Sequence, residues 1–246
     1  EYDRWKKLIQ DNNLNGVEVN VAGTGSTSTL VLTNDRITNT AGKTPQQIGF
    51  LYNVTGGGNL NASLGGGTTL ANHAANSING NVVGTGAAGS STATILLDGV
   101  NASGNTQNNG VLSVSNGGFM NFTAQNLSDF SNSVNGSGIL ANVAGVNSTM
   151  YVELEDTALD TNALVGFSGN VTEGVAPGVG QTGASLNVCL GPQSRAAPRH
   201  RGLSMITRIH GATSTLAANP GKKTRKAKTA KRKKKTAAAP HRAPRK

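Results

Sequence analysis

The sequence predicts an all-β chain: a parallel β-solenoid of about six coils followed by a disordered basic tail. Three observations carry this expectation: a glycine- and asparagine-rich composition, a repeat of about 30 residues, and an abrupt change of charge near residue 195. The 246 residues include 33 glycines and 28 asparagines, with only 36% hydrophobic and 4% aromatic residues. That is too few large apolar side chains for a helical bundle or a doubly wound α/β fold. The aliphatics are also too regularly spaced for a wholly disordered chain. No stretch approaches the ~20 apolar residues of a membrane-spanning helix.

Residues 1–11 read as a lead-in or a partial first coil, cut into as a fragment would be. Six copies of a pattern then follow: asparagine, a polar stretch, glycine, and Val, Ile or Phe at or just after it. Its glycines are Gly16, Gly49, Gly80, Gly110, Gly138 and Gly166, spaced 33, 31, 30, 28 and 28 residues apart. Short alternating apolar runs stand between them, at Leu30–Leu32, Leu60–Leu64, Ile95–Leu97, Met120–Phe122 and Met150–Leu154. A further run, Leu186–Leu190, closes the series. Two or three short strands with Gly/Asn/Ser turns per ~30 residues describe one solenoid coil. No coil can bury its inward side chains alone, so stacking at ~4.8 Å per coil makes the core. The solenoid is assigned to residues 12–190.

The expected inward residues are Leu30, Leu32, Ile37, Phe50, Leu60, Leu64, Ile78, Val82, Ile95, Leu97, Val111, Leu127, Ile139, Val152, Leu154, Leu159, Val165 and Phe167. Phe50, Val82, Val111, Ile139 and Phe167 are expected to share one column. Alternation over 151–155 puts Val152 and Leu154 inside, with Tyr151, Glu153 and Glu155 outside. The repeat glycines suit corners of positive φ, a region that asparagine tolerates too. Asn34, Asn126 and Asp156 fall at comparable turns, where such side chains can bond along the stack.

These runs and turns resemble the right-handed parallel β-helix (pectate-lyase-like) repeat proteins, in particular the Asn/Gly-rich repeats of bacterial surface and secreted proteins. The resemblance covers roughly residues 12–190. It implies a right-handed coil, as the usual crossover hand also does, and an extracellular or cell-surface location. That superfamily holds polysaccharide lyases and hydrolases, tailspikes and adhesins, so the fold licenses no single activity.

A uronate lyase needs acidic calcium ligands and a basic residue that removes a proton. Arg36 and Lys43 are the only basic residues inside the solenoid, about 19 Å of stacking away from Glu153, Glu155, Asp156 and Asp160. Glu153 and Glu155 lie two residues apart on one strand face, roughly 6.5–7 Å, a spacing that suits paired carboxylates of a glycosidase. They are the weak catalytic candidates beside the leading reading of a solvated face. The expectation leans to a non-enzymatic structural or adhesive segment without cofactor or metal. Its outward Asn, Ser and Thr suit a carbohydrate or a protein ligand. A polysaccharide-acting lyase or hydrolase is the first alternative.

Smaller signals read as structure. The glycine triplets at 56–58 and 65–67 lack the aspartates of calcium-binding repeats. His73 reads as a surface-turn residue. Cys189, the single cysteine, can form no internal disulfide.

Residues 1–194 hold all 12 acids and five basic side chains, a balance of −7, whereas 195–246 hold 17 basic side chains and no acid. Ten of the 14 residues from 222 to 235 are basic: Lys222, Lys223, Arg225, Lys226, Lys228, Lys231, Arg232, Lys233, Lys234 and Lys235. The segment resembles the Lys/Ala-rich tails of histone-like proteins. Such blocks bind nucleic acid and other polyanions through phosphate or sulfate charge, without sequence preference. Two readings stand for residues 191–246: a polyanion-binding tail, or text foreign to the repeats, of the kind an out-of-frame reading of GC-rich DNA yields.

Overall fold

The computed structural model describes residues 8–40, 46–172 and 182–190, together with the backbone of strands at 204–208 and 213–218. Every regular element among them is a strand. A first short strand, β1 (Leu8–Gln10), precedes the repeat. The first coil is β2 (Asn15–Ala22), β3 (Thr27–Thr33) and β4 (Arg36–Thr38); the second is β5 (Ile48–Thr55), β6 (Asn59–Gly65) and β7 (Thr69–Ala71). Two-strand coils follow: β8 (Asn76–Val83) with β9 (Thr92–Asp98), β10 (Gly110–Ser115) with β11 (Phe119–Gln125), and β12 (Ile139–Ala144) with β13 (Thr149–Leu154). β14 (Phe167–Thr172) and β15 (Ser185–Leu190) come next, then β16 (Ser204–Arg208) and β17 (Thr213–Ala218).

All pairing is parallel. β2, β5, β8, β10, β12, β14 and β16 form the first face, and β3, β6, β9, β11, β13, β15 and β17 the second. The third face is narrow. It consists of β1, β4 and β7, continued by single bridges Thr69–Asn101, Asn101–Asp129 and Asp129–Ala158. Five coils therefore carry all three faces, against the expected six, and the sixth is built from two. Pairing runs past residue 190: β16 pairs with β14 and β17 with β15, so a further rung comes from the segment assigned to the tail.

The core is a set of inward columns. One holds Phe50, Ile78, Gly110, Ile139 and Phe167. A second holds Val54, Val82, Val114, Val143 and Val171. On the second face Leu60, Ala93, Met120, Met150 and Leu186 are stacked and fully buried. The expected column of Phe50, Val82, Val111, Ile139 and Phe167 is thus corrected at two places. Val82 points inward two columns away, beyond the column of Tyr52, Gly80 and Leu112, and Val111 points outward because Gly110 occupies its expected inward place. The third-face residue Phe130 fills the space beside Gly110, 3.4 Å from where a Cβ would stand. Leu127, also expected inside, is 59% exposed and has φ 68° at a corner. Val165 is half-buried at a corner, whereas Leu30 and Leu159 pack partly buried against the core.

The repeat glycines serve space rather than positive φ. Gly16 and Gly49 pair on the first face, and side chains of the third corner lie over them, Gln46 over Gly16 and His73 over Gly49. Gly80 sits three residues beyond that position. A Cβ there would overlap the ring of Tyr52 from the coil below. Tyr52 is fully buried, and its hydroxyl reaches past that coil to donate to Met120 Sδ at 3.5 Å. Positive φ belongs instead to the corner after the second face. Asn34, Gly66, Gly99, Asn126 and Asp156 there have φ between 49° and 66°. Just inside that corner, Thr68, Ser128 and Thr157 are buried and donate to the carbonyls of Gly65, Gln125 and Ala124.

Candidate functional site

β13 alternates as its sequence dictates: Met150, Val152 and Leu154 are buried, Tyr151 and Glu153 exposed. Parallel register then fixes their outer neighbours. Tyr151 lies between Asn121 and Asn187, and Glu153 between Thr123 and Cys189. Phe119, at the start of β11, leans on Tyr151 with ring centroids 5.8 Å apart and planes at 51°. A shallow groove of about 580 Å³ runs along this pair, lined also by Asn121, Glu153, Asn187 and Cys189. One wall is therefore aromatic, and its ends carry two amides and one carboxylate. Asn187 Nδ2 donates to Ser185 Oγ at 3.0 Å.

Of the two catalytic candidates, Glu153 enters this groove and Glu155 does not. Glu155 lies beyond the end of β13, its N–H bonded to the Ala124 carbonyl. Both are solvent-exposed. The other acids nearby serve turns. Asp98 accepts from Asn126 Nδ2 at 2.6 Å, Asp129 from the Ser131 N–H at 2.9 Å, and Asp160 from the Ser131 hydroxyl at 2.6 Å. Arg36 is the one Lys or Arg among the residues described with their side chains, and it stands on the third face of the first coil. Lys43 lies outside the described residues, as do all ten residues of the basic run: Lys222, Lys223, Arg225, Lys226, Lys228, Lys231, Arg232, Lys233, Lys234 and Lys235.

Among the described residues no group of three or more His, Cys, Asp or Glu could hold a metal ion. No helix there is long and apolar enough to cross a membrane. His73, expected on a surface turn, is 1% exposed. Neither ring nitrogen makes a regular hydrogen bond, and burial lowers its pKa from 6.5 to about 4, opposed in part by the Ile37 carbonyl.

The aromatic pair was missed in the sequence because Phe119 precedes an apolar run and reads as part of it. The signal was its spacing: Phe119 and Tyr151 are 32 residues apart, one coil of 30 plus the two-residue offset, to the next outward position, that sets rings leaning rather than stacked. Compared with protein-family profiles, curated proteins and solved structures, the chain finds no match.

Proposed function

We propose that this chain is a non-enzymatic structural and adhesive β-solenoid segment of a bacterial surface or secreted protein, and that its aromatic groove holds an uncharged sugar. The observation that carries the reading is the Phe119–Tyr151 pair with an amide on either side of Tyr151. The C–H face of a pyranose ring packs against an aromatic face, while amides and a carboxylate exchange hydrogen bonds with its hydroxyls. Glu153 and the −7 balance of residues 1–194 disfavour uronates and sulfated sugars.

Calorimetric titration with neutral oligosaccharides (glucose-, galactose- and N-acetylglucosamine-based) and with oligogalacturonate tests it. Binding of a neutral sugar should weaken at least tenfold in Tyr151→Ala, with oligogalacturonate bound more weakly than the neutral sugar. Preference for the uronate, or affinity untouched by Tyr151→Ala, would sink the reading. Pectate, alginate and hyaluronan should not be turned over. Turnover that vanished in Glu153→Gln would restore the lyase or hydrolase alternative.

A second reading rests on the 17 basic side chains of residues 195–246, which suit a polyanion such as nucleic acid.

A further inference from the structure

We propose that the outer side of the first face is a contact surface for a second copy of this chain. From β5 to β14 the outward positions carry no ionisable side chain. Glu18 on β2 is the one such group on this face among the described residues up to β14. The remaining described acids stand at the corners or on the other faces. Residues 1–194 balance to −7 within a chain of net charge +10, so two such segments repel, and this is the side on which they meet without opposing charges.

The face is also self-complementary. Its middle column reads Asn20, Asn53, Asn81, Ser113, Asn142 and Asn170 in register. Asn53 donates to Asn20 at 2.9 Å and Asn170 to Asn142 at 2.8 Å, which fixes these amides along the stack. Each amide still has a donor hydrogen and acceptor lone pairs to spare. Asn81 and Ser113, at the centre, make no side-chain hydrogen bond within the described residues. A surface that offers donors and acceptors in equal measure can pair with its own copy across a two-fold axis.

Flanking that column, Leu51, Val111 and Leu140 add half-buried apolar area. The five rungs from β5 to β14, at ~4.8 Å each and with strands of ~20 Å, span roughly 480 Å² per copy. The pair would bury about 960 Å², below the ~1,200 Å² of stable specific interfaces and in the range of weak, transient contacts. The predicted dimer is therefore concentration-dependent rather than obligate. A contact of this kind also ignores salt, unlike one between the basic segment of one copy and the acidic solenoid of another.

Sedimentation equilibrium of the full chain from ~0.15 to ~1 M salt tests this directly. A reversible dimer is expected whose dissociation constant changes less than threefold over that range. Asn81→Lys with Asn142→Lys should weaken it at least tenfold, and Thr94→Lys on the second face should leave it unchanged. Should the double lysine variant not fold, Ser113→Cys in a Cys189→Ser background supplies the second measurement. Its central thiol should cross-link two copies under mild oxidation. A monomer at every concentration, a dimer unaffected by the lysines, or one that dissolves as salt rises would each overturn the proposal. So would failure of Ser113→Cys to cross-link.

Discussion

His73 occupies the place after the third corner where later coils put Asn105, Ser133 and Asn162. Asn105 Oδ1 accepts the His73 N–H at 2.9 Å, and Asn162 Oδ1 the Ser133 N–H at 2.9 Å. The imidazole shares the position without forming the bond. With a folded pKa of about 4 against 6.5 unfolded, the unfolded chain binds the extra proton between those values. This contribution to stability is complete above pH 6.5 and declines as pH falls toward 4. Between pH 7 and 5, above most carboxylate titration, the loss should be about 2 kcal/mol. His73→Asn should flatten that window in urea unfolding; an equal slope in both proteins would refute it. At this scale the corner Asn and Asp residues were legible as comparable turns, since Asn34, Asn126 and Asp156 stand at one corner and share a positive φ. His73 was not, because its burial comes from Gly49 in the preceding coil, 24 positions away in sequence.

Strand register is where sequence reading was strongest and also where it slipped. β13 could be assigned residue by residue, since Met150, Val152 and Leu154 alternate with polar partners. β10 could not, because Gly110–Val111 mimics the glycine–apolar pattern while Gly110 itself holds the inward place. The volume missing at Gly110 is supplied by Phe130 of another face, which no local pattern announces. Leu112→Asp and Val111→Asp separate the two registers. The first places an unpaired carboxylate in the core and should cost more than about 3 kcal/mol. The second faces outward and should cost less than about 1 kcal/mol. The reverse order in thermal unfolding would show β10 to be shifted by one residue. The groove was hidden for a related reason: Tyr151 was legible as outward, but its neighbours Asn121 and Asn187 are set by pairing with other coils.

Over the whole molecule, the solenoid and the charge break were plain from period and composition. The number of closed coils was not, since the third face shrinks to single bridges after β7. The charge break yields its own expectation. Binding of the full chain to double-stranded DNA or heparin should fall steeply between ~50 and ~200 mM salt and be indifferent to base sequence. Replacing the ten basic residues from Lys222 to Lys235 with glutamine should remove most of it. Affinity retained in that variant would move the polyanion site elsewhere on the chain.

Tyr52 has a mechanical consequence. In a stack whose rungs touch only their neighbours, a pull on the two ends frees one rung at a time. Each rung of roughly 30 residues then lengthens the chain by about 100 Å. Tyr52 starts in the second coil, lies across Gly80 in the third and ends at Met120 in the fourth, riveting three rungs together. Those three should give way as one, in a single extension of about 300 Å, flanked by the shorter steps of the outer rungs. Single-molecule stretching would record that long step, and Tyr52→Ala should divide it into shorter ones. A trace of uniform short steps in the unaltered protein would show that the ring fills space without fastening the coils it crosses.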